Sequence, residues 1–150
     1  MALIRPLNGS TPSFGSDPFL AETAVVIGDV VMGHKCSVWY NAVVRGDVNS
    51  IRIGHRVNIQ DGAVLHCTYQ KCGLSIGDDV SIGHNAIVHG CTVEDKVLIG
   101  MGAIVMDQAV ICHLERRLLD QRHGPALPST RAEEVNTHAC SKLGHALREK

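Results

Sequence analysis

Residues 76–90 read I-G-D-D-V-S-I-G-H-N-A-I-V-H-G, and their spacing decides the fold. Ile76, Ile82 and Val88 stand six apart, Gly77 and Gly83 follow the first two, and Val80 and Ala86 lie four places after them. A period of six matches neither the 3.6 of a helix nor the 2 of a plain strand. The phase continues on both sides through Val26, Met32, Val38 and Val44, then Ile53, Ile59 and Leu65, then Val93, Ile99, Val105 and Ile111. Small or β-branched partners recur with it at Val30, Cys36, Ala42, Val57, Ala63, Thr92, Val97, Ala103 and Ala109, and further glycines at 33, 54 and 100. This is a hexapeptide repeat, in which each hexad supplies one short strand and one turn.

The pattern predicts an all-β fold, a three-sided parallel β-helix with three hexads to a coil. Each aliphatic points inward and stacks on its counterpart one coil away, ~4.8 Å along the axis. Glycine, Asn and Asp serve the corners, where a positive φ or a close backbone approach is required. Repeats of this type wind left-handed, against the usual handedness of parallel crossovers. The phase slips three times: nine residues separate Val44 from Ile53, eleven separate Leu65 from Ile76, and five separate Val88 from Val93. Slips in such a lattice mark bulges and loops, where function concentrates.

Composition agrees with a slim aliphatic core. Hydrophobic residues make up 45% of the 150, aromatics only 3%, and the net charge is −1. Without a basic stripe, a nucleic-acid partner is not expected. The N-terminus lacks a secretory leader core, and no apolar run nears the ~18 residues of a membrane span. Cysteines at 36, 67, 72, 91, 112 and 140 form no C-x-x-C pair. They read as reduced, mostly buried side chains of a cytoplasmic protein.

Three histidines lie beside the second and third slips. His66 follows the inward Leu65 and His89 the inward Val88, so both point outward; His84 sits at or near a corner. Imidazole is a preferred donor to Zn²⁺, and three of them with one open position form a catalytic arrangement. One convex face does not easily converge three outward residues on one ion, whereas two subunits meeting there do. Hexad counting leaves open which two share a chain. His34 and His55, each just after a glycine, fit turn chemistry.

The runs V-W-Y-N-A-V-V-R-G-D-V-N-S-I-R-I-G (38–54), N-I-Q-D-G-A-V-L-H (58–66) and S-I-G-H-N-A-I-V-H-G-C (81–91) together resemble the γ-class carbonic anhydrase family, over residues 10–111. That resemblance implies a homotrimer of left-handed β-helices with a metal at each subunit interface, taking CO₂ and bicarbonate as substrates. It makes His66, His84 and His89 the metal ligands, His84 coming from the neighbouring chain. It places Arg45 and Asp47 as an interface pair near the site, and Gln60 and Asp61 as the polar pair beside the metal. Tyr69 becomes a candidate lining residue of the substrate cavity. Zn²⁺ is the expected ion, with Fe²⁺ or Co²⁺ equally suited to three imidazoles and water. Active family members carry an acidic proton-transfer residue directly after the Asp of the Arg-x-Asp motif; here that position is Val48, which implies slow hydration. A hexapeptide-repeat acyltransferase, an acyl-CoA thioesterase and a non-catalytic metal-binding assembly subunit are the alternative functions.

After Ile111 the repeat stops and the composition turns charged and His-rich. The expected organisation is therefore a β-helix domain over 1–111, then a divergent 112–150 with a linker and a C-terminal helical tail. The helix is expected from a capping box at Thr130 and Glu133 and an apolar stripe of Ala132, Val135, Ala139, Leu143, Ala146 and Leu147.

Overall fold

The computed structural model describes residues 1–112. The linker and helix expected over 112–150 lie, but for Cys112, outside the described residues. All elements within them are β-strands, and every ladder pairs in parallel. The first face carries β1 (Leu3–Arg5), the start of β4 (Val25–Met32), the start of β6 (Val43–Ile53), β8 (Val64–His66), β11 (Ile87–His89) and β14 (Ile104–Val105). The second carries β2 (Ser13–Phe14), the ends of β4 and β6, β9 (Leu74–Ile76), β12 (Thr92–Val93) and β15 (Val110–Ile111). The third is a separate sheet of β3 (Phe19–Leu20), β5 (Ser37–Val38), β7 (Asn58–Ile59), β10 (Ser81–Ile82) and β13 (Leu98–Ile99). The chain is thus a parallel β-helix built of hexapeptide repeats.

The core follows from the repeat. Every in-phase aliphatic from Val26 to Val105 is buried, and Ile111, in the last coil, is half-buried. Two places before each aliphatic a second side chain also points inward, because alternation along a strand returns to the same side after two residues. That row includes Val30, Cys36, Ala42, Ile51, Val57, Ala63, Leu74, Val80 and Ala86. One expected partner is wrong. Thr92 is exposed and pairs in β12, while Cys91 takes the inward place before Val93. The five-residue slip removes one position there, so counting four on from Val88 lands on the outer side.

Coil length records the slips. In undisturbed coils the partner is 18 residues on, as in Val25↔Val43 and Phe19↔Ser37. It becomes 21 at Val43↔Val64, 23 at Val64↔Ile87 and 17 at Ile87↔Ile104. All three departures fall at one corner, between the first and second faces. There Asp29 alone stands opposite the four residues Asp47–Ser50, since Gly28 pairs Gly46 and Val30 pairs Ile51. The insertion 67–73 and the contraction at 90–91 follow at the same edge.

The corner between the second and third faces is regular and explains two histidines. The amide of Ser16 donates to His34 Nδ1 (2.8 Å), that of His34 to His55 Nδ1 (2.9 Å), that of His55 to Asp78 Oδ1 (2.8 Å) and that of Asp78 to Asp95 Oδ1 (2.7 Å). Each side chain accepts the turn amide of the coil before it, so the corner amides of Ser16, His34, His55 and Asp78 each have an acceptor. The His34 and His55 rings stack, 4.9 Å apart and 9° from parallel. Gly33 is required by proximity: a Cβ there would lie 2.5 Å from the Gly54 carbonyl oxygen.

Candidate metal centre

β8 and β11 run in register, Val88 against Leu65 and His89 against His66. Their inward residues anchor the core, and the next residue on each strand emerges together at the irregular corner. His66 Nδ1 faces His89 Nε2 at 3.0 Å, with both rings mostly buried. Each ring is held from behind by a carboxylate. His66 Nε2 lies 2.9 Å from Asp47 Oδ1, and His89 Nδ1 lies 2.6 Å from Asp107 Oδ1. Asp47 in turn accepts from Arg45 at 2.5 Å through Oδ2. Asp107 Oδ2 accepts from Thr68 Oγ1 at 2.7 Å and from Lys71 Nζ at 3.0 Å.

The electrostatics favour ionised carboxylates and a neutral His66. Burial pushes the Asp47 carboxyl up, but hydrogen bonds from His66 and Arg45 outweigh it and hold it below the usual range. Thr68, His89 and Lys71 hold Asp107 far below that range. Desolvation lowers His66 despite its bond to Asp47, and the Arg45 charge adds to the lowering.

Counting protons tests whether a cation fits. Three gaps run along the line Asp47, His66, His89, Asp107, and each needs one proton to be a hydrogen bond. Two neutral imidazoles supply two. If both protons sit on the outer nitrogens and donate to carboxylates, His66 Nδ1 and His89 Nε2 present two lone pairs to one another. A cation between them satisfies both, and the carboxylate–imidazole–metal arrangement that results fixes ring tautomer and raises ligand basicity. Their separation is near the ~3.3 Å edge of a tetrahedron with metal–nitrogen bonds of ~2.0–2.1 Å. The donor set therefore fits a divalent ion as two of its ligands.

His84 lies elsewhere. It occupies the corner between the third and first faces, where its Nδ1 is 3.0 Å from Asp61 Oδ2 and both side chains are well exposed. Gln60, half-buried, precedes Asp61 on the same turn, which the amide of Ala63 closes by donating to the Gln60 carbonyl (3.2 Å), while the amide of Asn85 in the next coil donates to the Asp61 carbonyl (2.9 Å). Arg45, Asp47, His66 and His89 thus share one edge of the first face, and Gln60, Asp61 and His84 its other edge. No group of three or more His, Cys, Asp or Glu side chains among the described residues is arranged to hold an ion within one chain. Tyr69 projects from the inserted loop, 66% exposed, its hydroxyl accepting from Gln70 Nε2 at 3.0 Å. Three members of the centre, Asp107, Thr68 and Lys71, escape the motif reading. The signal for Asp107 is its place on the same corner one coil on, 18 residues after His89.

Between the two edges the first face turns an aliphatic row outward: Val25, Val43, Val64, Ile87 and Ile104, the last three exposed. No helix among the described residues is long and apolar enough to cross a membrane. The described cysteines form no disulfide. Burial pushes the thiols of Cys67 and Cys91 up to about 11 and about 12.

No protein-family model matches the chain. Over 109 residues it is 44% identical to the carbonic anhydrase of Geobacillus kaustophilus, which covers 73% of this chain and 59% of that protein. Over 107 residues it is 47% identical to gamma carbonic anhydrase 1, mitochondrial, of Arabidopsis thaliana, covering 67% of this chain and 38% of the relative. The chain therefore spans less than two thirds of the length of these curated relatives. Among solved structures, a "putative acetyltransferase" of Bacillus cereus superposes with a TM-score of 0.65 at 34% identity, over 74% of each chain.

Proposed function

The chain belongs to the γ-class carbonic anhydrase family of hexapeptide-repeat proteins, and from that premise we propose that it is a metal-dependent hydratase interconverting CO₂ and bicarbonate at sites shared between subunits. The observation that carries the reading is the facing pair His66 Nδ1 and His89 Nε2, each ring backed by a carboxylate. A third donor has to come from outside this edge. His84 lies on the opposite edge of the same face, so a neighbouring copy docked head-to-tail offers its His84 to the first chain's pair. A ring closed by such contacts is a homotrimer, and the outward aliphatic row between the edges is the surface it buries.

In this reading His66, His89 and the neighbour's His84 hold Zn²⁺, or Fe²⁺ or Co²⁺ in its place. An ion held there would supply Lewis acidity, lowering the pKa of water toward neutrality. Asp47 and Asp107 keep the inner nitrogens of His66 and His89 free of protons, and Asp61 does the same for His84. Arg45 holds Asp47 ionised and aimed. Gln60 offers its amide to a substrate oxygen, and Tyr69 reaches toward the mouth of the cavity. Val48 supplies no carboxylate, so protons leave through buffer and turnover is slow in its absence. The reduced cysteines are in keeping with a cytoplasmic setting.

Stopped-flow CO₂ hydration on metal-loaded protein, beside hydrolysis of an acyl-CoA thioester, tests the assignment. Hydration that rises with pH and buffer, and disappears in His84→Ala and His89→Ala together with the ion, is expected. Full metal occupancy in both variants by elemental analysis, or thioester turnover exceeding hydration, refutes it.

A further inference from the structure

We infer that Asp107 is a positioning residue that holds His89 through one carboxylate oxygen and the inserted loop 67–73 through the other, so that loss of this one side chain releases both. The inference rests on the metal-binding reading only for what the orientation serves. Its geometry stands alone. Asp107 lies on the corner after β14, one coil beyond His89, and its two oxygens divide the work. Oδ1 takes His89 Nδ1 at 2.6 Å, while Oδ2 takes Thr68 Oγ1 at 2.7 Å and Lys71 Nζ at 3.0 Å.

The loop has weak closure of its own. Its internal amide bonds are long, Lys71 N to the Thr68 carbonyl at 3.3 Å and Cys72 N to the same oxygen at 3.5 Å, and Tyr69, Gln70 and Lys71 are exposed. Bonds of that length contribute little, so beyond the buried Cys67 at its start the loop's strongest polar hold is the tie to Asp107. Gly90 makes that tie sterically possible. A Cβ at Gly90, whose φ is +51°, would stand 2.6 Å from Asp107 Oδ1 and 2.6 Å from Cys72 Sγ. Only a residue without a side chain leaves room for the carboxylate to reach His89 while the loop packs behind it. With Asp107 accepting at Nδ1, His89 is fixed as the Nδ1–H tautomer and its Nε2 lone pair points at His66.

Three readouts on the full chain test this: imidazole ¹⁵N shifts of the metal-free protein, amide exchange over 68–72, and Zn²⁺ affinity by chelator competition. In Asp107→Ala we expect His89 to lose its Nδ1–H preference, loop exchange to speed up at least tenfold, and Zn²⁺ to bind about 10–100-fold more weakly. The double variant Thr68→Val/Lys71→Met is expected to accelerate loop exchange while His89 keeps its tautomer. Asp107→Glu is expected to restore part of both effects. An unchanged His89 pattern or unchanged loop exchange in Asp107→Ala overturns the inference. If that variant does not fold, unaccelerated exchange in the double variant overturns it. A wild-type chain that binds no Zn²⁺, with the tautomer and exchange changes still present in Asp107→Ala, refutes the hydratase reading and supports the clasp.

Discussion

Gly83 and Gly100 occupy the same repeat position in successive coils, after the paired Ile82 and Ile99, yet the same substitution is expected to act on them with opposite sign. A Cβ on Gly83 would lie 2.6 Å from the Met101 amide nitrogen, 2.8 Å from the Gly100 carbonyl carbon and 2.9 Å from the Ile99 oxygen. All three are backbone atoms, so relief requires opening the coil stack, which stretches the 2.9 Å bond from Gly83 N to the Ile99 carbonyl. Losing that bond costs about 1 kcal/mol, and overpacking adds about 1–3 kcal/mol. Alanine recovers about 0.4–1 kcal/mol by restricting the unfolded chain. The net for Gly83→Ala is a loss of about 1–3 kcal/mol. At Gly100 no described atom lies within 4 Å of the added Cβ and φ is not positive, so only the gain remains. Urea unfolding of wild type and both variants at one protein concentration measures the difference. A Gly100→Ala loss equal to that of Gly83→Ala would refute the reasoning, because it requires something packed on the last described coil.

Leu65→Ala should cost about 2–5 kcal/mol in the same assay, since Leu65 is fully buried and stacked between Val44 and Val88; a loss under 1 kcal/mol would mean the column collapses freely. The hydrogen bonds from Arg56 hold the Asp79 carboxyl below its usual value. Stability from a depressed carboxylate is present above the unfolded pKa of about 3.9 and lost as pH falls through the folded one. Asp79→Asn, which tolerates the φ of +58° there, should therefore lower the urea midpoint at pH 7 and match wild type at pH 2; a gap that persists at pH 2 contradicts the pairing. An aromatic disulfide reagent at pH 8 should modify the half-exposed Cys72 in the native protein and reach Cys36, Cys67 and Cys91 only on unfolding. Fast reaction of Cys91 in the native state would be incompatible with its burial.

The fold was legible because in a solenoid the sequence period is the contact map. Ile82 touches Ile59 and Ile99 for the same reason it resembles them. The misplaced Thr92 marks the limit of counting, since a lattice with one residue deleted has two possible phases and only packing selects Cys91. His34 and His55 were legible as turn residues, though not as acceptors in a ladder through successive coils. Asp107 was hidden for a chemical reason. Corners of this fold use Asp and Asn routinely, at Asp78, Asn85 and Asp95, so one more acidic corner carries no signal until a coil length is added to His89. The division of His66 and His89 from His84 needed three dimensions, because 18 residues separate His66 from His84 in a chain whose coils vary from 17 to 23.

All length variation among the described coils is confined to a single edge, and that separates two kinds of evolutionary constraint. Residues can be added or removed between the first and second faces without shifting the other two corners, because the ladders on either side resume in step. The inserted loop is the proof in this molecule: five residues beyond an 18-residue coil, with Ser81 still opposite Asn58 on the third face. Selection can therefore rewrite the edge that bears His66 and His89 while the scaffold is inherited intact. The same property recommends that edge for grafting, since new loops placed at 67–73 inherit a register that they have no part in specifying.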